Sequence, residues 1–152
     1  RLLFNQGNWY KYGSDISREV SQELGYAYKK RKSPEREKWI SLAFAKLAEK
    51  ERFSVVRDFT GHGLGQVFHC PPSVLHFGNP GEGIRLEPGM IFTIEPMINA
   101  GGYATKILSD GWTAVTRDRS LSAQFEHSIG ITENGAEIFT LSKKSYDFPP
   151  YK

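Results

Sequence analysis

The hydrophobic pattern of this chain changes period once, after Arg52, and that change constrains its fold more than any other feature. Before it, apolar residues recur at helical spacing: Val20, Leu24, Ala27 and Tyr28 in one stretch, then Ile40, Ala43, Phe44, Leu47 and Ala48 in another. After it, short runs of β-branched and aromatic residues are punctuated by turn residues. Helices grouped first and strands grouped second predict an α+β domain, with a helix pair packed on one face of a mostly antiparallel sheet. At 152 residues the chain is long enough for one domain with a real core.

Residues 1–13 are aromatic and apolar without a clean period, and read as an arm or a remnant strand. Ser14 or Asp15 is the expected N-cap of the first helix, which ends in Lys29, Lys30, Arg31 and Lys32, where cations suit the helix dipole. Ser33-Pro34 restarts the second helix, and the two are expected to form a short antiparallel hairpin. Strands are predicted over 53–59, 90–98, 112–117, 122–132 and 136–141, the last two joined through Glu133-Asn134-Gly135. Residues 60–89 are dense in glycine and proline and read as a functional loop, and residues 142–152 as an irregular tail.

Composition narrows the classes. No run of about 18 apolar residues exists, so no membrane span is expected. Cys70 is the single cysteine, which rules out an internal disulfide and fits a reducing compartment. The chain opens on Arg1 rather than Met, and its true beginning is expected to lie upstream. The net charge of +3 is uneven: residues 1–52 carry 12 Lys and Arg against 7 Asp and Glu. The run from Lys29 to Lys32 is a solvated helical face in the plainer reading and an RNA or ribosome contact in the other.

The chemistry lies in the second part. His62 sits between glycines in Gly61-His62-Gly63-Leu64-Gly65, followed by Phe68-His69. Glu95 interrupts the apolar run Phe92-Thr93-Ile94-Glu95-Pro96-Met97, and Glu126 lies in Ser122-Ala123-Gln124-Phe125-Glu126-His127. Alternation along the last run places Gln124, Glu126 and Ser128 on one face. A carboxylate held in apolar surroundings is costly unless a metal ion or an arginine compensates it. One such histidine or glutamate alone is ordinarily a hydrogen-bonded or solvated residue; imidazole and carboxylates from separate strands together are a donor set for a divalent ion. A phosphate loop is not an attractive reading, because neither a lysine in the Walker position nor a helical pattern follows the glycines. The glycines are better read as small neighbours that let the backbone approach a bound group.

The segments GHGLGQVFH, PGMIFTIEPMINAG, DGWTAVT and SLSAQFEHSIGIT, in this order, resemble the C-terminal half of type I methionine aminopeptidases over about residues 17–141. The resemblance implies the second half of the pita-bread fold and a dinuclear metallopeptidase that removes the initiator methionine from nascent polypeptides. It implies divalent ions, two per site, of Mn, Fe, Co or Zn. His62 and Glu95 match metal ligands, and Glu126 the carboxylate that bridges both ions. His69 matches the catalytic histidine that contacts the substrate and the tetrahedral intermediate. Phe68 and Trp112 match positions near the methionine side chain, and Thr93 and Gln124 the supporting shell. Prolidase and aminopeptidase P share the wider fold, but the Ser-Ala-Gln-Phe-Glu-His form is similar to the methionine enzymes. Two further family ligands are aspartates from the N-terminal half; residues 1–13 hold no Asp or Glu, so the chain is expected to begin after the second aspartate or to have replaced it. Two readings follow. One is the C-terminal part of an active enzyme, with the remainder elsewhere or on a partner chain. The other is a truncated, metal-free subunit with a structural or binding role in a larger assembly. The expected compartment is the cytoplasm or an organellar matrix, mitochondrial or plastid.

Overall fold

A computed structural model describes residue 48, residues 52–78, residue 84 and residues 86–140. Of the expected helix pair only Ala48 falls within them; it is helical and buried in the core. The rest of that pair, the basic run from Lys29 to Lys32, the arm at 1–13 and the tail at 142–152 lie outside the described residues.

Apart from Ala48, the regular structure among the described residues is antiparallel β-sheet joined by turns and loops. Ten strands follow in order: β1 (Ser54–Val55), β2 (Gly61–Gly63), β3 (Cys70–Val74), β4 (Ile91–Ile94), β5 (Met97–Asn99), β6 (Thr105–Ile107), β7 (Ala114–Thr116), β8 (Ser122–Gln124), β9 (His127–Thr132) and β10 (Gly135–Ile138). They form a three-stranded sheet ordered β1-β5-β8, a five-stranded sheet ordered β10-β9-β4-β2-β3, and the hairpin β6-β7.

The first two sheets share their chain segments. The predicted strand at 90–98 is broken into β4 and β5, and the predicted strand at 122–132 into β8 and β9. Pairing stops at Ile94 opposite His127 and resumes at Met97 opposite Gln124. The register is the same on both sides, so Glu95 falls opposite Glu126 inside the gap. Pro96 accounts for one side of the break, since it has no N–H to give a ladder and holds the preceding residue extended. The segment before them makes the same crossing: β1 pairs β5, and β2 pairs β4. Three neighbouring segments therefore pass from one sheet to the other, each with a carboxylate on the way, Asp58, Glu95 and Glu126, and the last two fall opposite each other in the gap.

The expected loop at 60–89 holds two strands, β2 and β3, within its described part. Its glycines and prolines are compatible with them for separate reasons. Pro71 and Pro72 lie in β3, at the sheet edge, where a missing N–H need not cost a ladder bond. Gly61 and Gly63 are buried, and they serve packing between strands rather than approach to a ligand. A Cβ on Gly61 would run into the Thr93 carbonyl, and one on Gly63 into the Pro71 carbonyl. Alternation then leaves His62 on the opposite face from both. The hairpin strand β6 is a further element that the pattern did not predict.

Beneath the bend lies one apolar cluster, with Val55, Phe92, Ile94, Ile98, Ile129 and Ile131 buried from both sheets. Each fully buried aliphatic or aromatic side chain there contributes about 1.5–3 kcal/mol. The core therefore grips β4 and β9 directly beside the gap.

Replacing Gly63 by Ala should destabilise the chain by about 2–3 kcal/mol, because the blocking atoms are strand backbone and cannot move aside. Urea unfolding of Gly63→Ala against wild type measures it, and an unchanged midpoint would contradict the packing described.

Candidate metal centre

The three donors flagged by the sequence meet at the bend. One ligand atom each from His62, Glu95 and Glu126 lie within 4.8 Å of one another. His62 Nε2 is 3.5 Å from Glu95 Oε1, with the two side chains 13% and 16% exposed. His62 Nδ1 lies 3.0 Å from the Gly63 carbonyl oxygen, a partner that takes the ring proton there. The Nε2 lone pair is then left facing the carboxylates, as a metal-binding imidazole requires.

Among the described residues, the partners of Glu95 are hydroxyl, amide and imidazole groups rather than an arginine. The buried Thr93 hydroxyl donates to Glu95 Oε1 at 2.6 Å and accepts the His62 backbone N–H at 2.9 Å. A single hydroxyl thus ties one ligand's carboxylate to the other ligand's backbone. Gln124 Nε2 donates to Glu95 Oε2 at 3.2 Å across the ribbon. The Glu95 backbone N–H donates to His76 Nε2 at 3.1 Å. Thr93 and Gln124 thus both bond to the Glu95 carboxylate. His76 was not singled out by the sequence, where it is one histidine in the apolar run Val74-Leu75-His76-Phe77.

His69 and Phe68 also come to the site. The His62 and His69 rings meet edge to face with centroids 4.4 Å apart, and Phe68 lies against both, 4.0 Å from His69 and 5.2 Å from His62. His69 is exposed and has φ of 58°, a left-handed conformation that costs a non-glycine residue about 1 kcal/mol or more. Phe68 is 71% exposed despite its size. A cleft of about 450 Å³ opens beside His62 and Glu95, walled by Phe59, His69, Cys70 and Met97. Trp112 is elsewhere: it follows the turn of the β6-β7 hairpin, is 87% exposed, and is not among the residues lining that cleft.

Electrostatics point to a cation. Desolvation first, and the neighbouring Glu95 carboxylate second, push the Glu126 carboxyl above its ordinary value, while His62 and His69 oppose the shift. Two carboxylates facing one imidazole lone pair are mutually repulsive until a positive charge joins them. The donor set, the ring orientation and the spacing all fit a divalent ion with nitrogen and oxygen ligands. Fold and site together define a candidate centre for a divalent ion with histidine and carboxylate donors.

Comparison with known proteins agrees. The chain belongs to metallopeptidase family M24, which it matches over residues 15–133. It is 62% identical over 114 residues to the methionine aminopeptidase of Rickettsia prowazekii, covering 74% of this chain and 44% of that protein. It is 50% identical over 131 residues to the methionine aminopeptidase of Salmonella typhimurium, covering 86% of this chain and 50% of the relative. The crystal structure of the Rickettsia prowazekii methionine aminopeptidase superposes with a TM-score of 0.66 and 49% identity, covering 84% of this chain and 52% of that one. The chain spans about half the length of the curated relatives it matches.

Burial holds His76 at a pKa of about 4, below the ordinary 6.5. Between those values the unfolded chain binds the proton and the folded chain does not, so stability falls as pH drops from 6.5 toward 4. The full loss is about 3 kcal/mol. Denaturant melts at pH 7 and pH 4 should show that slope in wild type and a shallower one in His76→Gln, and equal slopes would contradict the assignment.

Proposed function

We propose that this chain is the C-terminal part of a metal-dependent aminopeptidase that removes the N-terminal methionine from new polypeptides. The observation that carries the reading is the convergence of His62, Glu95 and Glu126 within 4.8 Å at the bend of the sheet, in a chain of family M24. A divalent cation bound there, whether Mn, Fe, Co or Zn, supplies Lewis-acid activation of water and of the scissile carbonyl.

The chain's own residues do the rest. His62 offers Nε2 as a neutral donor, and Glu95 and Glu126 offset the cation's charge. Thr93 and Gln124 keep the Glu95 carboxylate from turning away. His69, exposed at the rim and packed on the His62 ring, donates a hydrogen bond to the substrate carbonyl as charge develops on it. Phe68, packed beside both histidines, offers an apolar face to the methionine side chain. The two aspartate ligands that the family adds come from outside the described residues, on this protein or a partner chain. The substrate emerges from a ribosome, where the run from Lys29 to Lys32 meets RNA, in the cytoplasm or an organellar matrix.

The test is methionine release from a Met-Ala-Ser peptide with Mn(II). It is run on the chain alone and on the chain combined with the N-terminal half of the Rickettsia prowazekii relative. Metal-dependent release that Glu126→Gln lowers by about 100-fold or more is the expected result. Metal retained at the three ligands with no release in either arm would assign the chain to a binding role in an assembly instead.

A further inference from the structure

Glu95 occupies the two-residue gap where the ribbon changes sheet, so the β4-β9 and β5-β8 ladders both stop short of it. Its N–H donates instead to a side chain, His76 Nε2, at 3.1 Å. His76 is 1% exposed and follows the edge strand β3, nineteen residues away in sequence. Thr93 and Gln124 fix the two carboxylate oxygens. Gln124 Nε2 also lies 3.5 Å from the Glu95 carbonyl oxygen, at the limit of a hydrogen bond; the shorter hydrogen bond to His76 holds the Glu95 N–H, and with it the backbone from which the side chain departs. A tilt of the Glu95 peptide would stretch those side-chain bonds and draw the carboxylate away from His62 and Glu126.

We propose that His76 is a positioning residue of the metal centre: its imidazole replaces the missing sheet partner at the bend and fixes the Glu95 backbone, so that the carboxylate meets the cation together with His62 and Glu126. The proposal rests on the metal-centre reading. It adds a fourth residue whose own atoms do not touch the ion. It also explains why a fully buried histidine stands in an otherwise apolar run: an aliphatic side chain would fill the volume but leave the Glu95 N–H without an acceptor.

The experiment grades the side chain by reach. Gln places an acceptor near the position of Nε2; Asn is equally polar but stops near Nδ1. Co(II) is titrated into the whole chain and into His76→Gln and His76→Asn, with affinity and the visible absorption of bound Co(II) as readouts. In the metal-free chain, the nitrogen–nitrogen coupling across the hydrogen bond is read by NMR between the Glu95 amide and His76 Nε2. Expected are a measurable coupling in wild type, and Co(II) affinity and spectrum near wild type in His76→Gln. His76→Asn should bind about 10–100-fold more weakly, with an altered spectrum. Equal affinity and spectrum in His76→Asn would overturn the positioning role and leave the metal centre standing. No Co(II) binding by the folded wild type would overturn both. If His76→Asn fails to fold, the coupling decides: its absence in wild type overturns the proposal, and its presence together with a wild-type spectrum in His76→Gln sustains it.

Discussion

A β-ribbon that passes from one sheet into another must interrupt its ladder at the bend, and here everything functional depends on that interruption. Pairing lapses for two residues on each strand, at 95–96 and 125–126, while the register carries through unchanged. Within a regular ladder, neighbouring side chains alternate faces and backbone groups are committed to each other. In the gap both constraints relax. Glu95 and Glu126 can turn toward one point, and the backbone around them takes side chains as partners.

The surroundings make that point rigid. Phe92, Ile94 and Ile129 are fully buried on the strands entering the gap, so the core fixes where the bend occurs. Gly61 and Gly63 let β2 lie close against its neighbours and turn His62 toward the carboxylates. Thr93, itself buried, then joins two ligands through one hydroxyl. What remains is an excess of negative charge with one imidazole lone pair aimed at it. The fold thus orients these three candidate donors, and a cation is what would balance their charge.

Much of this was legible in the sequence. His62, Glu95 and Glu126 stood out because charged or metal-binding side chains in apolar, strand-like runs need a compensating partner. Their chain order and neighbours carried the family resemblance. The break at Glu95-Pro96 was hidden because apolar residues continue on both sides of it, so one long strand fits the pattern as well as two. Pro96 was the available signal. Strands β2 and β3 were hidden by glycines and prolines that here serve close packing and an edge position, not a loop. His76 was missed although it satisfies the criterion that exposed Glu95: a polar group in an apolar run. Its partner is a backbone amide nineteen residues away, and only the fold brings the two together. Trp112 shows the reverse case. Its motif was plain, yet the hairpin holds it 87% exposed and away from the cleft wall.

The most direct measurement is anomalous diffraction from crystals of this chain soaked in Mn(II), recorded above the manganese edge. A peak within coordination distance of His62 Nε2 and of carboxylate oxygens from both Glu95 and Glu126 is the predicted result. A map with no peak there, or with manganese bound only at other carboxylates, would contradict the metal centre on which the functional reading stands.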